Sequence, residues 1–148
     1  MIKEFVFSFI CTVGFSVIFH TPKKYLAVTG LCGAVAWTLY KYVFLMGGSI
    51  ITSNFIGAFG MAVLSEILSR ICNKPATFFI IPGIIPLVPG YAVYYTMFSL
   101  INNDYDKFAQ MGADTAKVAL AIACGIIVAS SIGRVILVMR GHKVNMRM

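Results

Sequence analysis

The sequence contains few charged residues. Only 11% of its 148 residues are Asp, Glu, Lys or Arg, whereas 59% are hydrophobic. A soluble domain carries about 25% charged residues, because polar side chains must cover most of its surface. In lipid, helices satisfy their own backbone hydrogen bonds, and the apolar runs in this chain have the length of membrane-crossing helices. The composition therefore predicts an all-α integral membrane protein.

Catalytic and metal-binding patterns are also absent from the sequence. It has no G-x-S-x-G, H-E-x-x-H or P-loop motif, and its two histidines and four cysteines are scattered without ligand spacing. These absences argue against an enzyme, a metal site and a bound cofactor. The net charge of +7 lies in basic residues between apolar runs, where membrane topology and anionic lipid explain it better than nucleic acid does.

Five apolar runs approach or exceed the length of about 20 helical residues that crosses the hydrocarbon core. They are residues 2–19, 25–46, 49–68, 76–101 and 118–139. We expect about five transmembrane helices in a single multi-pass domain over residues 1–148, with the run 25–46 either spanning or re-entrant. After the fourth run, Asp104 is expected to cap a short interfacial helix, and Asp114 to cap a separate last span.

The basic residues predict the orientation of these helices. If all five runs cross the membrane, four basic residues share the side of the N-terminus and eight lie opposite. Because positive loops favour the cytoplasm, we expect the N-terminus outside the cell membrane and the C-terminus in the cytoplasm. The larger group comprises Lys23, Lys24, Arg70, Lys74, Arg134, Arg140, Lys143 and Arg147.

The fourth run contains three prolines and two glycines within nine residues, namely Pro82, Gly83, Pro86, Pro89 and Gly90. Each interior proline removes a helix N–H and costs about 3 kcal/mol. Freed carbonyls survive in a membrane only inside protein or beside a watery cavity. The pattern predicts a broken helix lining a transport path, with helix N–H groups near Gly90 favouring a carboxylate. Tyr91, Tyr94 and Tyr95 follow and could donate hydroxyls, and Tyr94 is the one assigned to the path. A merely kinked helix is the alternative.

Small residues recur every four positions in the fifth run, at Ala121, Gly125, Ala129 and Gly133. This spacing is typical of close helix–helix packing in membranes. Glu66 lies four residues before Arg70, which predicts an ion pair between them. Glu66 and Asp114 are the candidates for coupling to an ion gradient, although neither acid lies in the middle of a run.

The stretch I-P-G-I-I-P-L-V-P-G-Y-A-V-Y, preceded by the basic approach 73–77 and followed by a polar loop, resembles the threonine/serine exporter family. It is most similar to the short membrane subunit of the split, two-component type. The resemblance covers most of the chain, and only the five proline and glycine positions of the stretch carry over as motif residues.

This resemblance implies a carrier that exports threonine and serine, or dicarboxylates such as succinate, through the bilayer. It also implies a larger multi-span partner subunit with a soluble domain. The other hypotheses are a non-transporting membrane assembly or scaffold subunit, and a homo-oligomeric channel.

Overall fold

The computed structural model describes the backbone of residues 2–145 and the side chains of residues 2–134. Every regular element in this range is helical, which confirms the predicted all-α class for the described residues. The side chains of Arg140, Lys143 and Arg147, which contribute to the charge count, lie outside them. The helices are α1 (Ile2–Ile18), α2 (Leu26–Leu45), α3 (Ile50–Cys72), α4 (Thr77–Gly83), α5 (Gly90–Ile101) and α6 (Tyr105–Asn145), with 3₁₀ turns at Lys23–Tyr25 and Ile85–Leu87.

Three described helices are long and apolar enough to cross a membrane, and the bent pair α4–α5 makes a fourth if it counts as one span. The three are Lys23–Leu45, Ile50–Cys72 and Tyr105–Arg134. Helix α1 has 17 residues and a length of about 26 Å, slightly less than the hydrocarbon thickness of about 30 Å. The described residues thus contain three to four candidate spans, and α1, which corresponds to the first of the five expected spans, is not among them.

Helix α1 lies antiparallel along α2. At one end, the Glu4 carboxylate lies 3.4 Å from the Lys41 ammonium. At the other end, the Ser16 hydroxyl donates to Thr29 Oγ1 at 2.8 Å. The two contacts are twelve residues apart on each helix, about 18 Å of helical rise. The two helices therefore run side by side over most of their lengths.

The buried face of α1 is polar and its exposed face is apolar. Ser8, Thr12 and Ser16 are buried, and each hydroxyl donates to a backbone carbonyl one turn earlier. Ile10 and Phe7 are 60% and 72% exposed. Hydroxyls that satisfy themselves and pack against a neighbouring helix, beneath an apolar outer face, are typical of a helix in lipid.

Helices α3 and α6 run in the same direction. The backbone at Phe55 and Phe59 contacts Gly125, whereas Glu66, further along α3, contacts Gly133, further along α6. The chain between them must therefore return to the end at which α3 begins. Helix α4 and its 3₁₀ turn make this return, since Gly83 packs against Met61 and Leu87 lies near Gly57.

The return is broken where the prolines lie. Helix α4 ends at Gly83, a 3₁₀ turn includes Pro86, and Val88 is extended with ψ of 126°. Helix α5 starts at Gly90, and its axis is bent by 62° from that of the preceding segment. The structure therefore contains the break that the sequence predicts.

The expectation of a separate interfacial helix before the last span is wrong. Helix α6 is continuous over 41 residues, about 62 Å. The Asp104 carboxylate caps its start by accepting from the Lys107 N–H at 3.3 Å, whereas Asp114 lies inside the helix. Residues 105–117 contain no proline, and at Gly112 they pack against Thr96 of α5. The first turns of α6 are thus supported by α5 and join the last span without interruption.

Candidate functional site

A cavity of about 410 Å³ lies at the break between α4 and α5. Residues 86–92 form one wall, Trp37 and Tyr40 of α2 contribute aromatic rings, and Asn54 of α3 and Asp114 of α6 add polar groups. The volume is within the range of small-molecule pockets, about 300–1,000 Å³. The cavity is thus lined by the helix break, by two side chains with acceptor oxygens and by aromatic rings.

The start of α5 brings unpaired hydrogen-bond donors to this cavity. The Gly90 N–H bonds to the Val88 carbonyl at 2.7 Å, and the Val93 N–H bonds to the Pro89 carbonyl at 3.0 Å. Among the described residues, no group accepts from the N–H groups of Tyr91 and Ala92. Free N–H groups at the positive end of a helix dipole favour an anion, so this wall suits a carboxylate.

Two side chains that line the cavity supply acceptor oxygens, namely Asn54 and Asp114. Asn54 is 4% exposed, and its Nδ2 donates to the Ile50 carbonyl at 2.8 Å. Asp114 is exposed and its carboxylate accepts from the Lys117 ammonium at 2.8 Å. Lys117 lines a neighbouring cavity of about 250 Å³ together with Ser49 and Asp114. The cavity at the break therefore has donors at the start of α5 and acceptor oxygens on α3 and α6.

The residues predicted for the substrate path fall into two groups. Pro86, Pro89 and Gly90 line the cavity. Pro82 and Gly83 are buried in α4 instead. A Cβ atom at position 83 would lie 3.1 Å from Cys32 Cβ and 3.2 Å from Met61 Sδ. The first Pro-Gly pair thus packs α4 against α2 and α3, and the second opens onto the cavity.

The structure places Tyr94 away from the cavity. Its side chain is 62% exposed and its ring stacks on Phe98, with ring centroids 6.2 Å apart. Tyr91, one helical turn earlier, lines the cavity instead. Residues three apart on a helix share a face only approximately, so the sequence did not distinguish the two tyrosines.

The expected ion pair between Glu66 and Arg70 is wrong. Among the described side chains the two residues form no salt bridge, and Arg70 Nη2 donates to the Gly133 carbonyl at 2.9 Å. The Glu66 carboxyl group also lies against Gly133, where a Cβ atom would be 2.9 Å from Glu66 Cδ. Because α6 lies so close to α3 here, both side chains contact Gly133 rather than each other. Glu66 does not line the cavity, whereas Asp114 does.

The small residues of α6 face α3. Ala121 and Ala129 are 8% and 1% exposed, and both glycines of the stripe are buried. At Gly125, a Cβ atom would lie 2.7 Å from the Phe55 carbonyl oxygen. The stripe thus permits the tight α3–α6 contact that holds Asn54 and Asp114 on adjoining helices.

Among the lining residues with polar or aromatic side chains, Trp37, Tyr40 and Asn54 were not assigned to the site from the sequence. Asn54 had a usable signal, because a lone amide inside an apolar run is costly in a membrane and is a functional candidate. The two aromatic residues of α2 had none, since such rings also occur at membrane interfaces.

A family model described as "Threonine/Serine exporter, ThrE" matches residues 4–132. The chain belongs to the threonine/serine exporter family. This confirms the resemblance seen in the proline stretch. Membership of this family agrees with the apolar helices. The family is one of membrane transporters rather than a class of enzymes.

Within this exporter family, the chain is similar to a "Probable threonine/serine exporter" of Mycobacterium tuberculosis strain H37Rv. The two are 26% identical over 109 residues, which is 73% of this chain and 21% of the relative. The chain thus aligns with about a fifth of the length of that curated relative. No solved structure matches it.

Proposed function

We propose that this chain is the small membrane subunit of a two-component exporter, and that the cavity at the break is part of its substrate path. The observation that carries the proposal is the shared cavity, which is lined by Asn54, Asp114 and the first turn of α5, where the N–H groups of Tyr91 and Ala92 have no partner among the described residues. Discontinuous helices serve transporters in this way, since their N-termini hold anionic groups of the substrate.

The substrate in this proposal is a small carboxylate-bearing metabolite. Its carboxylate binds at the start of α5, where the N–H groups and helix dipole favour negative charge. Threonine and serine, which the relative's name specifies, fit this class, and dicarboxylates such as succinate also contain the required group. The cavity volume of about 410 Å³ leaves room for a molecule of this size and bound water.

The remainder of the path belongs to a larger multi-span subunit with a soluble domain. The match to only 21% of the relative's length supports this division, because that relative extends far beyond the segment that aligns with this chain. The partner would contribute the second membrane half, and the cavity at the break would lie where the halves meet.

We also place five spans in the cell membrane, with the N-terminus outside and the C-terminus in the cytoplasm. The 18 Å over which α1 follows α2 supports α1 as a span despite its 17 residues. The parallel course of α3 and α6 supports a full crossing by the α4–α5 pair, because a re-entrant loop would return the chain to the wrong side.

Asp114 is the better of the two candidates for ion coupling. Its carboxylate lines the cavity beside Lys117, so binding of a substrate or proton there changes the local charge balance. Glu66 lies twelve residues along α3 from Asn54, about 18 Å of rise, where it contacts Gly133. We assign Glu66 to the α3–α6 crossing.

Two glycine-to-leucine variants test the substrate path. Gly90 lines the cavity and Gly14 lies on the exposed face of α1, and a Cβ atom at either position would meet no other atom within 4 Å. Export of labelled threonine and serine is measured from preloaded cells that carry the gene in its native context. We expect Gly90→Leu to lower the export rate at least tenfold, because its side chain occupies the cavity mouth, and Gly14→Leu to leave it unchanged.

The amount of chain in the membrane and its association with the larger subunit are measured in parallel. Full export by Gly90→Leu with an intact complex would refute the path and favour a scaffold subunit. Substrate flux that persists after deletion of the larger subunit would favour a homo-oligomeric channel.

A further inference from the structure

Asn54 has a side-chain acceptor that no described residue satisfies. The residue is 4% exposed and lines the cavity at the break. Its Nδ2 donates to the Ile50 carbonyl at 2.8 Å, and no described group donates to Oδ1. Oδ1 is not among the fully buried side-chain atoms that lack a partner, so it keeps some accessible surface and is suited to accept a hydrogen bond from a group that enters the cavity.

The hydrogen bond to the Ile50 carbonyl also determines the orientation of the Asn54 side-chain amide, and hence which of its atoms is available to a ligand in the cavity. If the amide flipped, Oδ1 would face the Ile50 carbonyl oxygen, and two acceptors would meet without a proton between them. The bond therefore keeps Nδ2 on the α3 backbone and leaves Oδ1 as the free group. Asn54 therefore presents its side-chain oxygen, a hydrogen-bond acceptor, to the cavity.

The cavity consequently has two regions, one that suits a hydrogen-bond acceptor on the ligand and one that suits a donor. The Tyr91 and Ala92 N–H groups suit a carboxylate, while Asn54 Oδ1 and the Asp114 carboxylate suit hydrogen-bond donors. Among the described residues that line this cavity there is no lysine or arginine, and Lys117, which pairs with Asp114, lines the neighbouring cavity. Beside Asn54 Oδ1 and Asp114, a second carboxylate would thus meet acceptor oxygens, whereas a hydroxyl or ammonium group would meet hydrogen-bond partners.

We infer that Asn54 is a specificity-determining residue of the proposed path. Its Oδ1 accepts a hydrogen bond from the ammonium or hydroxyl group of a substrate whose carboxylate binds at the start of α5. This inference rests on the proposed function. It selects hydroxy and amino acids, which carry a donor close to their carboxylate, over dicarboxylates, which carry none at neutral pH. Sites built to pair a polar group reject analogues that lack it, because the site's own polar group is left unpaired.

The test compares Asn54→Leu, which has a similar volume and no acceptor, with Ser53→Ala as the control. Ser53 is the neighbouring buried residue, donates to the Ser49 carbonyl at 2.8 Å and does not line the cavity. Uptake of serine and succinate is measured against concentration in inside-out vesicles that contain the complete exporter. We expect Asn54→Leu to raise the KM for serine at least tenfold and to lower the serine-to-succinate ratio, and Ser53→Ala to change neither.

An unchanged KM and an unchanged ratio in active Asn54→Leu vesicles would overturn the inference. If that variant does not transport, serine binding is measured by the thermal stabilisation of the purified exporter. Equal stabilisation of the wild type and Asn54→Leu would also overturn it, whereas loss of stabilisation with a retained melting transition would support it. If Gly90→Leu blocks export and Asn54→Leu has no effect, only this inference fails; full export by Gly90→Leu removes the proposed path itself.

Discussion

The contact between α3 and α6 can be tested through Gly125. A Cβ atom at this position would lie 2.7 Å from the Phe55 carbonyl oxygen and 3.0 Å from the Phe59 amide nitrogen. Both are backbone atoms of α3, so no side-chain rotation can relieve the clash. To reach the ordinary contact distance of 3.4 Å, the helices must separate by about 0.7 Å at this point, a shift that would also loosen packing between these close-packed helices.

Two opposing effects set the size of the change. Overpacking of this kind costs about 1–3 kcal/mol, whereas alanine is more favourable than glycine inside a helix by about 0.5–1 kcal/mol. We therefore expect Gly125→Ala to lower the free energy of unfolding by about 0–2.5 kcal/mol. Gly14→Ala is the matched control, because a Cβ atom there meets nothing within 4 Å and only the propensity gain of about 0.5–1 kcal/mol remains.

The assay is thermal unfolding of the purified chain in detergent, followed by the fluorescence of its single tryptophan, Trp37. The difference between the two variants cancels the helix propensity and reports the α3–α6 clash, about 1–3 kcal/mol or about 2–4 °C in Tm for each kcal/mol. A melting temperature for Gly125→Ala equal to or above that of Gly14→Ala would refute the close contact of these helices.

Two further predictions concern orientation and coupling. Lys23→Cys and Lys107→Cys are each introduced into a cysteine-free background. The two cysteines should react with an impermeant thiol reagent from opposite sides of the membrane. Labelling of both from the same side would contradict the five-span topology. Asp114→Asn should retain downhill substrate flux in vesicles but lose the stimulation of flux by a proton gradient, since Asp114 is the only acid among the described residues that line the cavity. Stimulation equal to that of the wild type would exclude Asp114 as the coupling group.

Much of the architecture was predictable because its causes are local. Long apolar runs with few charged residues determine the helical membrane class, since backbone hydrogen bonds must be satisfied within the segment. The three prolines between Pro82 and Pro89 determine a break, because each lacks the N–H that an α-helix uses. The four-residue spacing from Ala121 to Gly133 likewise places small side chains on one face.

The errors arose where a distant segment competed with a local preference. Glu66 and Arg70 have the spacing of a helical ion pair, but the bare backbone of Gly133 comes close enough to contact both. Asp114 has the chemistry of a helix cap, yet α6 continues through it, because residues 105–117 contain no proline and pack on α5. Local propensities are weak beside such packing.

The sequence by itself determined that this chain is a helical membrane protein with one broken helix and that it resembles the exporters, since composition, proline chemistry and motif are properties of the chain alone. Only the tertiary structure decided which motif residues open onto a cavity and which are packed away. It placed Gly90 beside Asn54 and Asp114 and buried Gly83 against α2 and α3. The physical reason is that a cavity is formed by several helices together, and their relative positions depend on contacts between residues far apart in the chain.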